Sequence, residues 1–97
     1  MTATLRIFTH PSCPRCPEAV RRAWELKQRR PELFELRTVT LSDKAGLDEA
    51  YAENIKTIPT LICNDGDAEV FRIVGTPDMA HLEASFDQSP RAEDGQS

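Results

Sequence analysis

The residues with the most chemistry in this 97-residue chain are its three cysteines, two of which form Cys13-Pro14-Arg15-Cys16. Spacing of i, i+3 at the start of a helix lets two sulfurs meet in disulfide geometry. A cysteine at or next to a helix N-terminus faces unpaired N–H groups and the positive end of the helix dipole, which favour a thiolate. Such placement lowers a thiol pKa from about 8.5 to about 3.5–7.5. The expectation is an accessible, activated Cys13 and a shielded Cys16 one turn deeper. The first attacks a disulfide, and the second breaks the mixed disulfide that forms. Pro14 is expected in the first helical turn, where a missing N–H costs nothing. Arg15 is expected to project outward and add positive charge near the thiolate.

Zinc is the competing chemistry for such a pair. It usually takes four ligands, commonly as two close pairs. Only Cys63, His10 and His81 remain, with no second close pair. Redox chemistry is therefore preferred, and no metal or cofactor is expected. Cys63, in a short apolar run, reads as a core residue. His10 reads as a neutral, solvated turn residue and Trp24 as core.

Those cysteines must be held by a frame, and the pattern supplies one. Residues 4–9 read as a strand, with a turn at His10-Pro11-Ser12. A helix is expected over 13–29, burying Cys16, Val20, Ala23 and Trp24 at helical spacing. Lys27 continues that stripe with its stem packed and its ammonium in water, and Pro31 stops the helix. Residues 33–41 form a second strand, and Leu47, Ala50, Tyr51 and Ile55 mark a second helix. A third strand over 60–63, a turn at 64–67 centred on Asp65-Gly66 and a fourth strand over 69–74 make a hairpin. Gly75 ends it. Thr76 is a candidate cap, Pro77 suits the first helical position, and Asp78 suits the positive end of the dipole. Met79, Leu82 and Phe86 face inward from a last helix. The polar residues 88–97 are expected to be a flexible tail after one domain over 1–87. The order β-α-β-α-β-β-α implies an α/β fold, a mixed four-stranded sheet flanked by three helices.

Composition narrows the partners. A net charge of −4 argues against nucleic acid. No stretch approaches the roughly 20 apolar residues that span a bilayer. Met1 to Arg6 lacks the basic start and apolar run of a secretory signal. A cytoplasmic monomer is expected, in a compartment where a close cysteine pair is more often catalytic or metal-binding than structural.

The stretch Phe8-Thr9-His10-Pro11-Ser12-Cys13-Pro14-Arg15-Cys16-Pro17 resembles the active site of the small, glutaredoxin-sized thioredoxins well represented in archaea. Thr57-Ile58-Pro59-Thr60 resembles the family's cis-proline loop, and Val74-Gly75-Thr76-Pro77 its strand end and glycine. The resemblance covers about residues 4–87. It implies the thioredoxin fold and reduction of protein disulfides through Cys13 and Cys16. Pro14, Arg15, Thr57, Ile58, Pro59 and Gly75 would contact substrate, and the backbone of Ile58 would pair with an extended segment. Electrons would come from a thioredoxin-reductase-like flavoenzyme, or from glutathione if the chain is a dithiol glutaredoxin. A thioredoxin-fold protein that holds a metal or a partner through the cysteines is the non-catalytic alternative. Several departures matter. Ordinary thioredoxins carry Trp before the first cysteine, Gly-Pro between the pair and a buried acid six residues upstream, where this chain has Ser12, Pro-Arg and Ile7. Against glutaredoxins, Lys56-Thr57-Ile58-Pro59 is close, but His10 stands where a lysine is common and a Gly-Gly pair is reduced to Gly75. That implies half a glutathione site.

Overall fold

The computed structural model describes residues 3–88, in the order β1 (Ala3–Thr9), α1 (Cys16–Arg29), β2 (Phe34–Thr40), α2 (Lys44–Ala52), β3 (Thr60–Asp65), β4 (Ala68–Val74) and α3 (Met79–Gln88). Gln88 closes α3, and the expected tail beyond it lies outside the described residues. The strands form one sheet in the order β2-β1-β3-β4. β1 and β2 run parallel, and the β1–β3 and β3–β4 pairs are antiparallel. This is the expected mixed sheet.

Alternation along β1 decides what each face carries. Ala3, Leu5 and Ile7 pack with Ala19, Ala23 and Leu26 of α1 and with Leu82 and Phe86 of α3. Phe34 of β2 stacks on Phe86 at 4.8 Å between ring centroids, and Phe71 meets Phe86 edge-on at 4.9 Å. On the opposite face Phe8, Val39, Ile62 and Ala50 of α2 form a smaller apolar cluster.

The inward stripe of α1 keeps the expected Cys16 and Ala23, with Val20 partly buried beside them, but differs at Trp24. Cys16, Ala19, Ala23 and Leu26 are buried, and Trp24 is 50% exposed. Ala19 and Ala23 present small side chains to the core against β1. Lys27 also differs, since its ammonium donates to the carbonyls of Pro31 and Phe34. In α2, Leu47 and Tyr51 are 43% and 83% exposed, and the helix turns Gly46 and Ala50 inward. A Cβ on Gly46 would collide with the carbonyl oxygen of Thr40, so only glycine permits this approach. Asp43 caps α2 through the Gly46 amide at 2.7 Å.

The hairpin loop is Gly66-Asp67, one residue later than expected, so β3 extends to Asp65. Gly66 has φ +66° and Asp67 has a negative φ, the pattern of a II′ turn with glycine first. At the start of α3, Asp78 is itself the cap and accepts from the His81 amide at 2.7 Å. Thr76 and Pro77 precede the helix.

Candidate active site

β1 delivers the chain to the site at Thr9. His10-Pro11-Ser12-Cys13 is then a β-turn, closed by the Cys13 amide donating to the His10 carbonyl at 2.9 Å. Pro11 occupies the position whose φ proline presets. The His10 ring braces the same turn, its Nδ1 accepting from the Ser12 amide at 3.0 Å. That bond puts the proton of the neutral ring on Nε2.

α1 begins at Cys16 with Arg15 as its N-cap residue, so Cys13 lies three residues ahead of the helix and not within it. The expected start at Cys13 is thus corrected. Cys13 precedes Pro14, and a following proline disfavours the helical region for the residue before it. Pro17, not Pro14, is the proline of the first turn. Cys13 and Cys16 are joined as a disulfide with 5.5 Å between Cα atoms, inside the usual range. Cys13 is partly exposed, whereas Cys16 is 3% exposed and begins the buried stripe of α1. Pro14 and Arg15 between them are exposed. Beside the disulfide runs a groove lined by Thr9, His10, Cys13, Cys16, Val20 and Arg21.

The other sequence landmarks converge on the same end of the sheet. The Ile58–Pro59 bond is cis. β3 opens at Thr60, which pairs with Phe8, so Pro59 sits one step beyond the ladder, level with the end of β1 that leads to the cysteines. The Pro59 carbonyl accepts from the Gly75 amide at 2.8 Å. Gly75 has φ +99°, a conformation that suits glycine. Thr57 is exposed and its carbonyl accepts from the Thr60 hydroxyl. The Ile58 side chain packs beneath, against the Phe8 cluster, and the backbone of Ile58 lies outside the sheet ladder.

Two features of the site have no sequence signal. Thr76 Oγ1 donates to the Arg15 carbonyl at 3.4 Å, tying the β4–α3 connection to the cysteine loop. Arg22 donates to the Pro77 carbonyl at 2.8 Å and pairs with Glu18 at 2.7 Å, fixing the start of α1 to the same connection. Both depend on tertiary approach between segments about 55 to 61 positions apart. Ile7, where ordinary thioredoxins carry an acid, is fully buried in the larger core. Among the described residues, no three His, Cys, Asp or Glu side chains gather closely enough to hold a metal ion. No described helix is long and apolar enough to cross a membrane.

No protein-family model matches the chain. It is 30% identical over 73 residues to the thioredoxin of Methanocaldococcus jannaschii, covering 75% of this chain and 79% of that one. It is 30% identical over 78 residues to a probable thioredoxin of Archaeoglobus fulgidus, covering 80% and 79%. Among solved structures, oxidised thioredoxin O2 from Arabidopsis thaliana superposes with a TM-score of 0.77 at 22% identity, covering 90% of this chain and 74% of that one. Thioredoxin-2 of a malaria parasite superposes with a TM-score of 0.80 at 20% identity, covering 90% and 82%. These two likenesses show the fold.

Proposed function

The chain belongs to the thioredoxin family and is a thiol–disulfide oxidoreductase, and on that premise we propose how its residues divide the work. Cys13 is the attacking sulfur and Cys16 the resolving one. The observation that carries this assignment is their difference in exposure, with Cys13 open to the groove and Cys16 at 3%. In the dithiol form, the Cys13 thiolate attacks one sulfur of a protein disulfide. A Cys13–substrate disulfide forms, and the first substrate thiolate leaves. Cys16 then loses its proton and attacks the Cys13 sulfur, releasing the second substrate thiolate. Two electrons have passed to the substrate, whose two thiolates take up the Cys16 proton and one proton from water, and the chain holds the Cys13–Cys16 disulfide, the state this structure describes.

Pro14 and Arg15 are exposed on the rim of that disulfide, where they would touch substrate. Thr57, Ile58, Pro59 and Gly75 would form the opposite wall, with the Ile58 backbone offered to an extended segment. The reductant in this reading is a thioredoxin-reductase-type flavoenzyme, with glutathione a slow substitute. His10 supports that choice, because its Nδ1 accepts from the Ser12 amide within the turn and is not offered as a donor to a glutathione carboxylate. The protein would work as a cytoplasmic monomer.

An insulin-disulfide reduction assay tests the reading, run with dithiothreitol, with a flavoenzyme and NADPH, and with glutathione. Cys13→Ser should abolish turnover, and Cys16→Ser should accumulate a mixed disulfide through Cys13. Limiting alkylation of the reduced protein should label Cys13 first. Prior labelling of Cys16 would reverse the assignment, and rapid turnover by glutathione alone would replace the flavoenzyme.

A further inference from the structure

The charges of this molecule are sorted, although its net charge is negative. Every described lysine and arginine is ion-paired with a carboxylate except Arg15, Arg21 and Lys56. None of these three has a side-chain hydrogen bond either. All three are exposed; Arg15 and Arg21 adjoin the disulfide, and Lys56 lies beside Thr60 and Val74 where the chain enters the cis-Pro59 loop. Arg15 stands between the cysteines, Arg21 lines their groove, and Lys56 precedes the cis-Pro59 loop by three positions.

The carboxylates without an ion pair are not gathered at that end. At the active end, Asp43 and Asp78 are engaged by backbone amides as helix caps. Asp65 and Asp67, with no ion pair, flank the hairpin turn at the opposite end of the sheet, and Glu32 sits in the α1–β2 connection at that same far end. Glu25 is one helical turn from Arg21 and makes no ion pair with it. A chain with surplus acid thus leaves its unpaired cations toward one end of the sheet, on either side of the cysteines and the cis-Pro59 loop. Sorted charge of this kind attracts a substrate of opposite sign and turns it before contact.

We propose that the disulfides this protein reduces lie in acidic segments, with carboxylates on both sides of the cystine. Arg15 and Arg21 face the carboxylates on the α1 side, and Lys56 those on the cis-Pro59 side. The inference rests on the oxidoreductase reading and names the substrate class of that same site. Each event moves two electrons from the Cys13–Cys16 dithiol to the substrate disulfide, with one proton from Cys16 and one from water.

The test uses full-length protein, reduced with dithiothreitol and desalted, in single turnover. Its substrates are three peptide disulfides identical except for glutamate, serine or lysine flanks, with glutathione disulfide as a fourth arm. At low ionic strength the glutamate peptide should react about tenfold faster than the lysine peptide, and the gap should close in about 0.5 M salt. Arg21→Gln combined with Lys56→Gln should bring the ratio near one, and the corresponding Glu variants should invert it. Equal rates for the glutamate and lysine peptides, or a preference that survives the double variant, would overturn the proposal. So would faster reduction of glutathione disulfide than of the glutamate peptide, since the anion recognised would then be a small molecule. Failure to reduce even the serine peptide would instead overturn the oxidoreductase reading beneath it.

Discussion

The two faces of the sheet are held by different forces. On the α1/α3 face, Leu5, Ile7, Phe34, Leu61, Leu82 and Phe86 make a continuous apolar core that also seats the start of the redox helix. On the α2 face the apolar cluster is small, and a row of charges lies beside it. Arg37 of β2, Arg6 of β1 and Arg72 of β4 are aligned across the sheet by its register. Glu49 and Glu53, one helical turn apart, lie over them. Glu49 joins Arg37 at 2.7 Å to Arg6 at 2.8 Å, and Glu53 joins Arg6 at 2.6 Å to Arg72 at 3.5 Å. The Arg6 side chain is only 12% exposed, and its guanidinium also donates to Asn64 and lies over the Phe8 ring at 5.4 Å. Burial works against its charge, but the hydrogen bonds it donates to Glu49 and Glu53 outweigh that and hold its pKa above the ordinary value. The helix bearing Cys16 is therefore fixed mainly by apolar contacts, with exposed ion pairs to Glu35, Glu83 and Asp87 only toward its C-terminal end. The helix leading to the cis-Pro59 loop is fixed by contacts that salt weakens.

Breaking the apolar side has the largest expected effect. Phe34→Ala removes a fully buried ring together with its stack on Phe86. A loss of about 3–5 kcal/mol is expected, read as a fall in the urea midpoint, and it should be the same in low and high salt. A loss under about 1 kcal/mol would mean that the core is not where the stability lies.

Arg6→Met attacks the other side. Glu49 keeps Arg37 and Glu53 keeps Arg72, so neither carboxylate is left alone, and the expected cost is about 1–3 kcal/mol. The gap between wild type and variant should narrow as salt approaches about 1 M, where the screening length falls to about 3 Å. Amide exchange in α2 should quicken more than in α1. If the two helices loosen equally, the division between the faces is wrong.

Much of this was legible in the residues, for definable reasons. Element order and sheet type follow from local periodicity, which β1 and the hairpin display plainly. The cysteine pair, Pro59 and Gly75 are read from residue types that few other roles demand. The stripe of α1 was legible at Cys16 and Ala23 but not in its exact rotation, because Ala19 carries little hydrophobic signal beside Trp24. Nor was the collision that reserves position 46 for glycine, which exists only once α2 packs on Thr40. The arginine row was half visible, since Glu49 and Glu53 share a helical spacing. Their partners come from three strands whose register no local pattern specifies. The sorting of free cations is harder still, as it appears only after every other lysine and arginine has been assigned a partner.

The smallest effect expected lies at the edge of the charged row and refines the comparison without breaking it. Arg72 hydrogen-bonds Glu69 at 2.9 and 3.0 Å, and that bond holds the Glu69 carboxyl below its ordinary pKa against the opposing effect of burial. A carboxyl with a depressed folded pKa stabilises the fold above its unfolded value. That contribution disappears as pH falls through the folded value. The Glu69 side chain is 40% exposed, so solvent screening limits the effect to about a few tenths of a kcal/mol. Glu69→Gln should therefore be slightly less stable than wild type at neutral pH. The difference should vanish once the pH drops well below the carboxylate range, to about 2–3. Paired thermal melts at the two pH values measure it. A difference that persists unchanged in acid would mean that Glu69 acts through packing, and that the charged row ends at Glu53.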